Sequence, residues 1–258
     1  MTTKTKKKSV KRKVSKIASK EASKEAPQEP SKPPNGGLFG GHSKRTIGTF
    51  GFFSEMLSFV AQLPTIYKIW QKHEIEAGFR EELMLAVSTL NDCKYCSWGH
   101  HEWAHAAGIS DEELDHIEHG DPDGIERAKW VAISYVVNFV SSEYKDVPDE
   151  LAQEMQSNYT ANEIKEIELV ARIMDIANRG ANTWDAMLSR LHGKPAHDSH
   201  VLDEFVLSGV FWIIAPVSLL VLSQQSDRSF VELMRGLLDY VNQADDEAAA
   251  AAESGASA

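Results

Sequence analysis

Two thiols and three imidazoles lie within thirteen consecutive residues of this chain, in the segment Cys-Lys-Tyr-Cys-Ser-Trp-Gly-His-His-Glu-Trp-Ala-His at 93–105. Cys93 and Cys96 are the only cysteines among its 258 residues. If the segment is helical, Cys96 and His100 lie one turn apart on one face, and Cys93 lies one turn earlier on that side. Two thiols and a base can therefore meet, and the pattern indicates redox or metal chemistry.

Either thiol could become the reactive thiolate, because two features of the segment lower the pKa of a thiol. Asp92 is a predicted N-cap for a helix over 93–107, which would give Cys93 the first helical position, near the positive end of the helix dipole. Cys96 instead has His100 as a base one turn further on. The residues alone leave open which thiol attacks.

Charge divides the chain into a basic amino-terminal segment and an acidic body. Residues 1–45 carry 13 Lys and Arg against three Glu, a net charge of +10, so the remaining residues carry −21 to give the total of −11. Because this segment has almost no large apolar side chains, we predict a disordered Lys-rich tail that either contacts nucleic acid or another polyanion or only keeps the protein soluble.

The remainder of the chain shows helical periodicity. From residue 46 onward, apolar residues recur at a spacing near 3.6, and no strand-like alternation of useful length occurs, so we predict an all-α body. A helical domain is predicted at 46–193, with an additional helical region at 194–244 that packs on it. The acidic, Ala-rich end at 245–258 is predicted to be disordered.

Two residues of the chain have the pattern of helix amino-terminal caps. Ser110 and Thr160 are predicted helix caps.

Residues 205–222 form an uncharged run near the lower limit for a membrane span, and Pro216 favours a buried helix pair broken near that residue, with membrane attachment as the alternative. A secretion signal is not indicated, and a Cys-x-x-Cys pair suits a reducing compartment, so we expect a cytoplasmic location.

The residues around the cysteines resemble the alkylhydroperoxidase D-like branch of the carboxymuconolactone decarboxylase superfamily. That family has a Glu twelve residues before a Cys-x-x-Cys and a His four residues after the second Cys. In this chain the matching residues are Glu81, Cys93, Cys96 and His100. The intervening Ala-Val-Ser-Thr-Leu-Asn-Asp-Cys is also similar. The resemblance is strongest over 79–113 and extends over about 48–193.

The resemblance implies a helical bundle that acts as a thiol-dependent peroxidase. It implies that Cys96 attacks a hydroperoxide, that Cys93 resolves the sulfenic acid as a disulfide, and that His100 and Glu81 form a proton relay. It also implies a dithiol reductant such as a lipoyl-domain protein, and a trimer-based homo-oligomer. No cofactor and no metal is expected. The chain carries Tyr95 where some members have a His that joins the relay.

Three other interpretations of these residues stay open. The segment 101–105 matches the His-Glu-x-x-His zinc protease motif, with Asp111 as a third ligand, but the upstream strands of such proteases are not predicted. A structural zinc site could use Cys93, Cys96 and two histidines, although ligands crowded on one short helix rarely close a tetrahedron. The protein could also be a non-catalytic scaffold, or a polyanion- or membrane-associated interaction protein, that retains the thiol site.

Overall fold

A computed structural model of the chain describes residues 38–39, 44–71 and 75–255. These residues form ten α-helices and contain no strand, which confirms the predicted all-α class. All of them belong to one unit, residues 34–258. The predicted disordered tail lies outside the described residues, apart from 38–39, 44 and 45.

The ten helices follow one another with short connections. They are α1 Thr49–Val60, α2 Leu63–Gln71, α3 Ala77–Leu90, α4 Lys94–Ala106, α5 Asp111–His119, α6 Arg127–Ser141, α7 Asp149–Asn158, α8 Ala161–Leu191, α9 Val201–Gln225 and α10 Phe230–Gly255. The Thr160 hydroxyl caps α8 by accepting a hydrogen bond from the Glu163 N–H, and the Glu163 carboxylate accepts one from the Thr160 N–H. The Ser110 hydroxyl caps α5. Both predicted caps are confirmed.

Helix α3 lies at the centre of the core, where it packs against α4, α5, α6 and α8. Its side chains Leu83, Leu85 and Val87 have no exposed surface. Because α3 is enclosed on nearly every side, a polar group on it must find its hydrogen-bond partner within the protein. Two adjacent carboxylates on α3, Glu81 and Glu82, are subject to this constraint.

Helix α9 is held against the body at its amino-terminal end. The Arg190 guanidinium donates to both carboxylate oxygens of Glu204, at 2.6 and 2.7 Å, and the Thr49 N–H donates to the Asp203 carboxylate at 2.7 Å. The predicted break near Pro216 is wrong, because α9 continues through this residue. A proline removes one hydrogen bond, and the remaining bonds and packing of a 25-residue helix outweigh that loss.

The outer face of α9 is apolar and exposed. Its exposed apolar side chains beyond the first turn are Phe205, Trp212, Ile213, Ile214, Val217, Leu220 and Val221. Only 17% of its most apolar 18-residue stretch is buried, so the predicted burial of 205–222 is wrong. Within the described ranges, α9 is the one helix that is long and apolar enough to cross a membrane by length and composition.

Helix α10 runs further than the sequence predicted. It continues to Gly255, so the prediction of disorder is wrong for residues 245–255. Five consecutive alanines at 248–252 explain the difference, because Ala has the highest helix propensity. Asp245 also forms an ion pair with Lys94 of α4, which ties this part of α10 to the body.

Candidate active site

Glu81 of α3 and His100 of α4 form a buried hydrogen-bonded pair. The His100 Nδ1 lies 2.8 Å from the Glu81 Oε2, and the two side chains are 10% and 9% exposed. An ionised carboxylate can only accept hydrogen bonds, so Nδ1 carries the hydrogen. The Nε2 of a neutral His100 ring is therefore the nitrogen that can act as a base.

Arg80, which sequence reasoning missed, completes this pair as a cluster of three. Its Nε and Nη2 donate to the Glu81 Oε1 at 3.1 and 2.8 Å, and its guanidinium lies 5.1 Å from the centre of the Trp70 ring. Burial alone would raise the pKa of Glu81, but the hydrogen bond from His100 and the charges of His100 and Arg80 lower it overall. The carboxylate is therefore ionised at neutral pH and fixes the tautomer of His100.

Cys93 and Cys96 are joined as a disulfide across the start of α4. Cys93 has no exposed surface, whereas Cys96 is half-buried. The structure corrects the predicted position of Cys93, which is the N-cap of α4 and not its first residue, while Asp92 takes a left-handed backbone with a φ of 51°. The turn at 91–92 causes this shift, because it returns the Cys93 N–H to the Ser88 carbonyl at the end of α3.

An apolar cavity of about 320 Å³ lies beside Cys96 and His100, both of which line it. Its other walls come from α1, α8, α9 and α10, through side chains that include Phe52, Met56, Met174, Leu207, Phe211 and Leu237. Cys93 and Glu81 do not line it. The cavity therefore gives a small molecule access to one thiol of the pair and to the imidazole. Sequence reasoning did not predict that the additional carboxy-terminal region would form part of this cavity.

The two residues between the cysteines are bound to an aspartate on α8. The Tyr95 hydroxyl donates to the Asp185 carboxylate at 2.8 Å, and the Lys94 Nζ lies 3.1 Å from the same carboxylate. Burial and the nearby charge of Asp185 raise the pKa of Tyr95, so its phenol stays protonated at neutral pH. Burial would raise the pKa of Asp185, but Lys44 and Lys94 lower it overall. Asp185 had no motif that could have identified it from the sequence.

The residues of the zinc protease motif are engaged in ion pairs. The Glu102 carboxylate, the general base of that mechanism, is ion-paired with Arg228, two residues before α10. His105 Nδ1 lies 2.7 Å from the Asp111 carboxylate, and His101 Nδ1 lies 3.5 Å from the Glu118 carboxylate. In the part of the chain that the structure describes, no group of three or more His, Cys, Asp or Glu side chains could hold a metal ion.

Comparison of the chain with protein-family models, with curated proteins and with solved structures finds no match. The predicted resemblance to the alkylhydroperoxidase D-like branch therefore rests on the motif alone and stays a prediction. The protein is an all-α protein with a Cys-x-x-Cys disulfide at the start of a helix. Its structure brings the four predicted site residues together: His100 is bonded to Glu81, and Cys96 shares a cavity with His100.

Proposed function

We propose that the protein is a thiol-dependent peroxidase of the alkylhydroperoxidase D-like type that reduces apolar organic hydroperoxides, with Cys96 as the attacking thiol. The observation that carries the proposal is the apolar cavity, which Cys96 and His100 line and from which the fully buried Cys93 is absent. An accessible thiol beside a base, with a second thiol behind it at disulfide distance, is the arrangement that attack and resolution require.

The first step transfers an oxygen atom to sulfur. The His100 Nε2 takes the proton of the Cys96 thiol, and the thiolate attacks the terminal oxygen of the hydroperoxide ROOH. An S–O bond forms as the O–O bond breaks, and the leaving alkoxide takes the proton from His100 to give the alcohol ROH. Glu81 stabilises the imidazolium between these two proton transfers, because its carboxylate is bonded to Nδ1.

The second step closes the disulfide and the third reopens it. The Cys93 thiol attacks the sulfur of the Cys96 sulfenic acid, and water leaves as the S–S bond forms. Two electrons and two protons from an external dithiol then restore both thiols and leave the donor oxidised. A dihydrolipoyl group has the required chemistry. The disulfide in the structure corresponds to the oxidised state of this cycle.

The proposal is tested by hydroperoxide consumption with the purified full-length protein, dithiothreitol and cumene hydroperoxide. We expect turnover in the wild type and none in Cys96→Ser. In Cys93→Ser, we expect a sulfenic acid on Cys96 that reacts with dimedone and is seen by mass spectrometry. Thiols that stay unreactive towards the hydroperoxide, or a Cys96→Ser variant as active as the wild type, would contradict the proposal.

The neighbouring histidines give this experiment a matched control. His100→Gln should slow thiol oxidation by about 100-fold, which is the lower range for loss of general acid–base catalysis. His101→Gln should leave the rate within about twofold, because His101 does not line the cavity and faces Glu118 instead. Equal losses in the two variants would remove His100 from the proposed relay.

A further inference from the structure

Exposed apolar side chains cover the outer faces of three helices that follow or touch one another. On α1 and α2 they are Phe50, Phe53, Leu57, Val60, Leu63 and Tyr67. Together with the seven exposed side chains of α9 named above, we call this set the apolar surface. Helices α1 and α9 are in contact, because the Thr49 N–H donates to Asp203 and their inner faces line the same cavity. Exposed apolar areas of this kind mark an interaction site.

The apolar surface carries almost no charge, although the body around it is strongly acidic. In residues 46–67 the single charged residue is Glu55, and its carboxylate is ion-paired with Arg172. Residues 205–225 contain no charged residue. A body with a net charge of −21 is repelled by an anionic surface, so an approach to such a surface would favour this uncharged side.

The Lys-rich segment enters the fold directly before α1. Lys44 and Arg45, at its end, are ion-paired with Asp185 and Asp175 and so belong to the fold. The preceding residues 1–43 carry 11 Lys and Arg against three Glu. In the sequence they directly precede Lys44 and α1, the first helix of the apolar surface.

We propose that the apolar surface binds the surface of an anionic lipid membrane, with the Lys-rich segment supplying the electrostatic attraction. Stable attachment to a membrane takes two signals, and buried apolar area combined with a polybasic segment is one such pair. A second copy of the chain would also cover the apolar surface and would also offer an acidic body to the basic segment, so self-association is the alternative outcome of the test.

Helix α9 lies on the membrane in this proposal and does not cross it. Its inner face is committed to the body, because Leu207 and Leu222 are buried and Glu204 is paired with Arg190. Crossing the bilayer would separate these groups and leave a charge in the hydrocarbon. The apolar side chains of its outer face would instead enter the boundary between headgroups and acyl chains.

Sedimentation of the full-length protein with lipid vesicles tests the proposal. We expect binding to phosphatidylcholine vesicles containing phosphatidylglycerol, at least about tenfold weaker binding to phosphatidylcholine alone, and weakening with added salt. Trp212→Glu combined with Ile213→Glu should weaken binding by about tenfold or more. Gln153→Glu combined with Gln156→Glu adds the same charge to exposed positions of α7 and should bind like the wild type.

A second measurement keeps the test valid if the double glutamate variant fails to fold. Trp212 is 70% exposed, so brominated lipids should quench its fluorescence on binding, and Trp212→Phe should lose that part of the quenching. Absence of vesicle binding, or equal binding to neutral and anionic vesicles, would overturn the proposal. Self-association that the double glutamate variant abolishes, without vesicle binding, would overturn it in favour of an interface between copies. None of these results depends on peroxidase activity.

Discussion

Two adjacent glutamates on α3, Glu81 and Glu82, lie in two clusters that shift the pKa of a carboxylate in opposite directions. Glu81 has two cationic or proton-donating partners, Arg80 and His100, and its pKa is lowered. Glu82 has no exposed surface and shares the single ammonium of Lys129 with Glu113. Burial, which Lys129 only partly offsets and Glu113 reinforces, raises the pKa of Glu82 to about 7.

The number of cationic or hydrogen-donating partners, and not burial itself, therefore decides the charge of each acid. Both side chains are almost fully enclosed, yet one is ionised and the other binds a proton near neutral pH. Glu113 has a lowered pKa, so the proton shared by the two acids resides on the more deeply buried Glu82. The cluster at Glu81 therefore suits proton transfer with His100, while the cluster at Glu82 joins α3, α5 and α6.

Substitution of Glu81 should reduce hydroperoxide turnover strongly, whereas substitution of Glu82 should not. Glu81→Gln should lower kcat/KM for cumene hydroperoxide by about 100-fold, because a neutral amide cannot stabilise the imidazolium of His100. Glu82→Gln is the matched control and should stay within about twofold. The rate of Cys96 alkylation in the reduced protein gives a second readout. Equal losses in both variants would mean that α3 contributes only structure.

The next effect concerns stability in the second cluster. Lys129→Met should lower the free energy of unfolding by roughly 2 kcal/mol at pH 7, because Glu82 and Glu113 lose their shared cation. The cost is limited because Glu82 can take up a proton. Urea denaturation measures it, and adding Glu82→Gln to Lys129→Met should recover more than half of the loss. Additive losses in the double variant would contradict the proposed coupling.

The pH dependence of stability should have opposite signs at the two glutamates. The folded pKa of Glu82 is above its unfolded value, so its contribution relative to Glu82→Gln is full below pH 4.5 and is lost as the pH rises through about 7. We expect a loss on the order of 1 kcal/mol between pH 5 and pH 8, since Glu113 compensates in part. The folded pKa of Glu81 is lowered, so its contribution is present above pH 4.5 and is lost as the pH falls below it. Urea denaturation of each variant and the wild type checks both signs, and parallel curves would contradict them.

The smallest effect is expected at a third glutamate whose partner is more exposed. The Arg228 side chain is 41% exposed, so water screens its ion pair with Glu102. Glu102→Gln should change the free energy of unfolding by less than about 1 kcal/mol and leave hydroperoxide turnover unchanged. Lost turnover in this variant would place Glu102 among the residues that support the thiol site.

Patterns within a few neighbouring residues predicted the features that short-range interactions determine. The helical periodicity and the caps at Ser110 and Thr160 were accessible in this way, whereas the disulfide between Cys93 and Cys96 was expected only from the family resemblance. Only one partner of Glu81 could be predicted, because the motif spacing includes His100 but not Arg80. Contacts such as Tyr95 to Asp185 join positions 90 residues apart and leave no local pattern.

The errors at the carboxy-terminal end have a different cause. Residues 205–222 are apolar on every side, so their periodicity cannot tell a covered face from an exposed one. The acidic composition of 245–258 suggested disorder, while the helix propensity of its alanines and the ion pair of Asp245 with Lys94 act against it. Composition described these segments correctly but did not indicate what they pack against.

The ion pair between Lys94 and Asp245 joins the helix of the two cysteines to a part of the chain that is synthesised much later. A ribosome releases the two cysteines before α9 and before Asp245, so the α9 wall of the cavity emerges after the thiols. The thiol site is therefore completed only after α9 has been released. A chain that ended after α8 would keep both cysteines, His100 and Glu81 but would lack the α9 side of the cavity, so its thiols would meet water where the finished protein holds an apolar pocket.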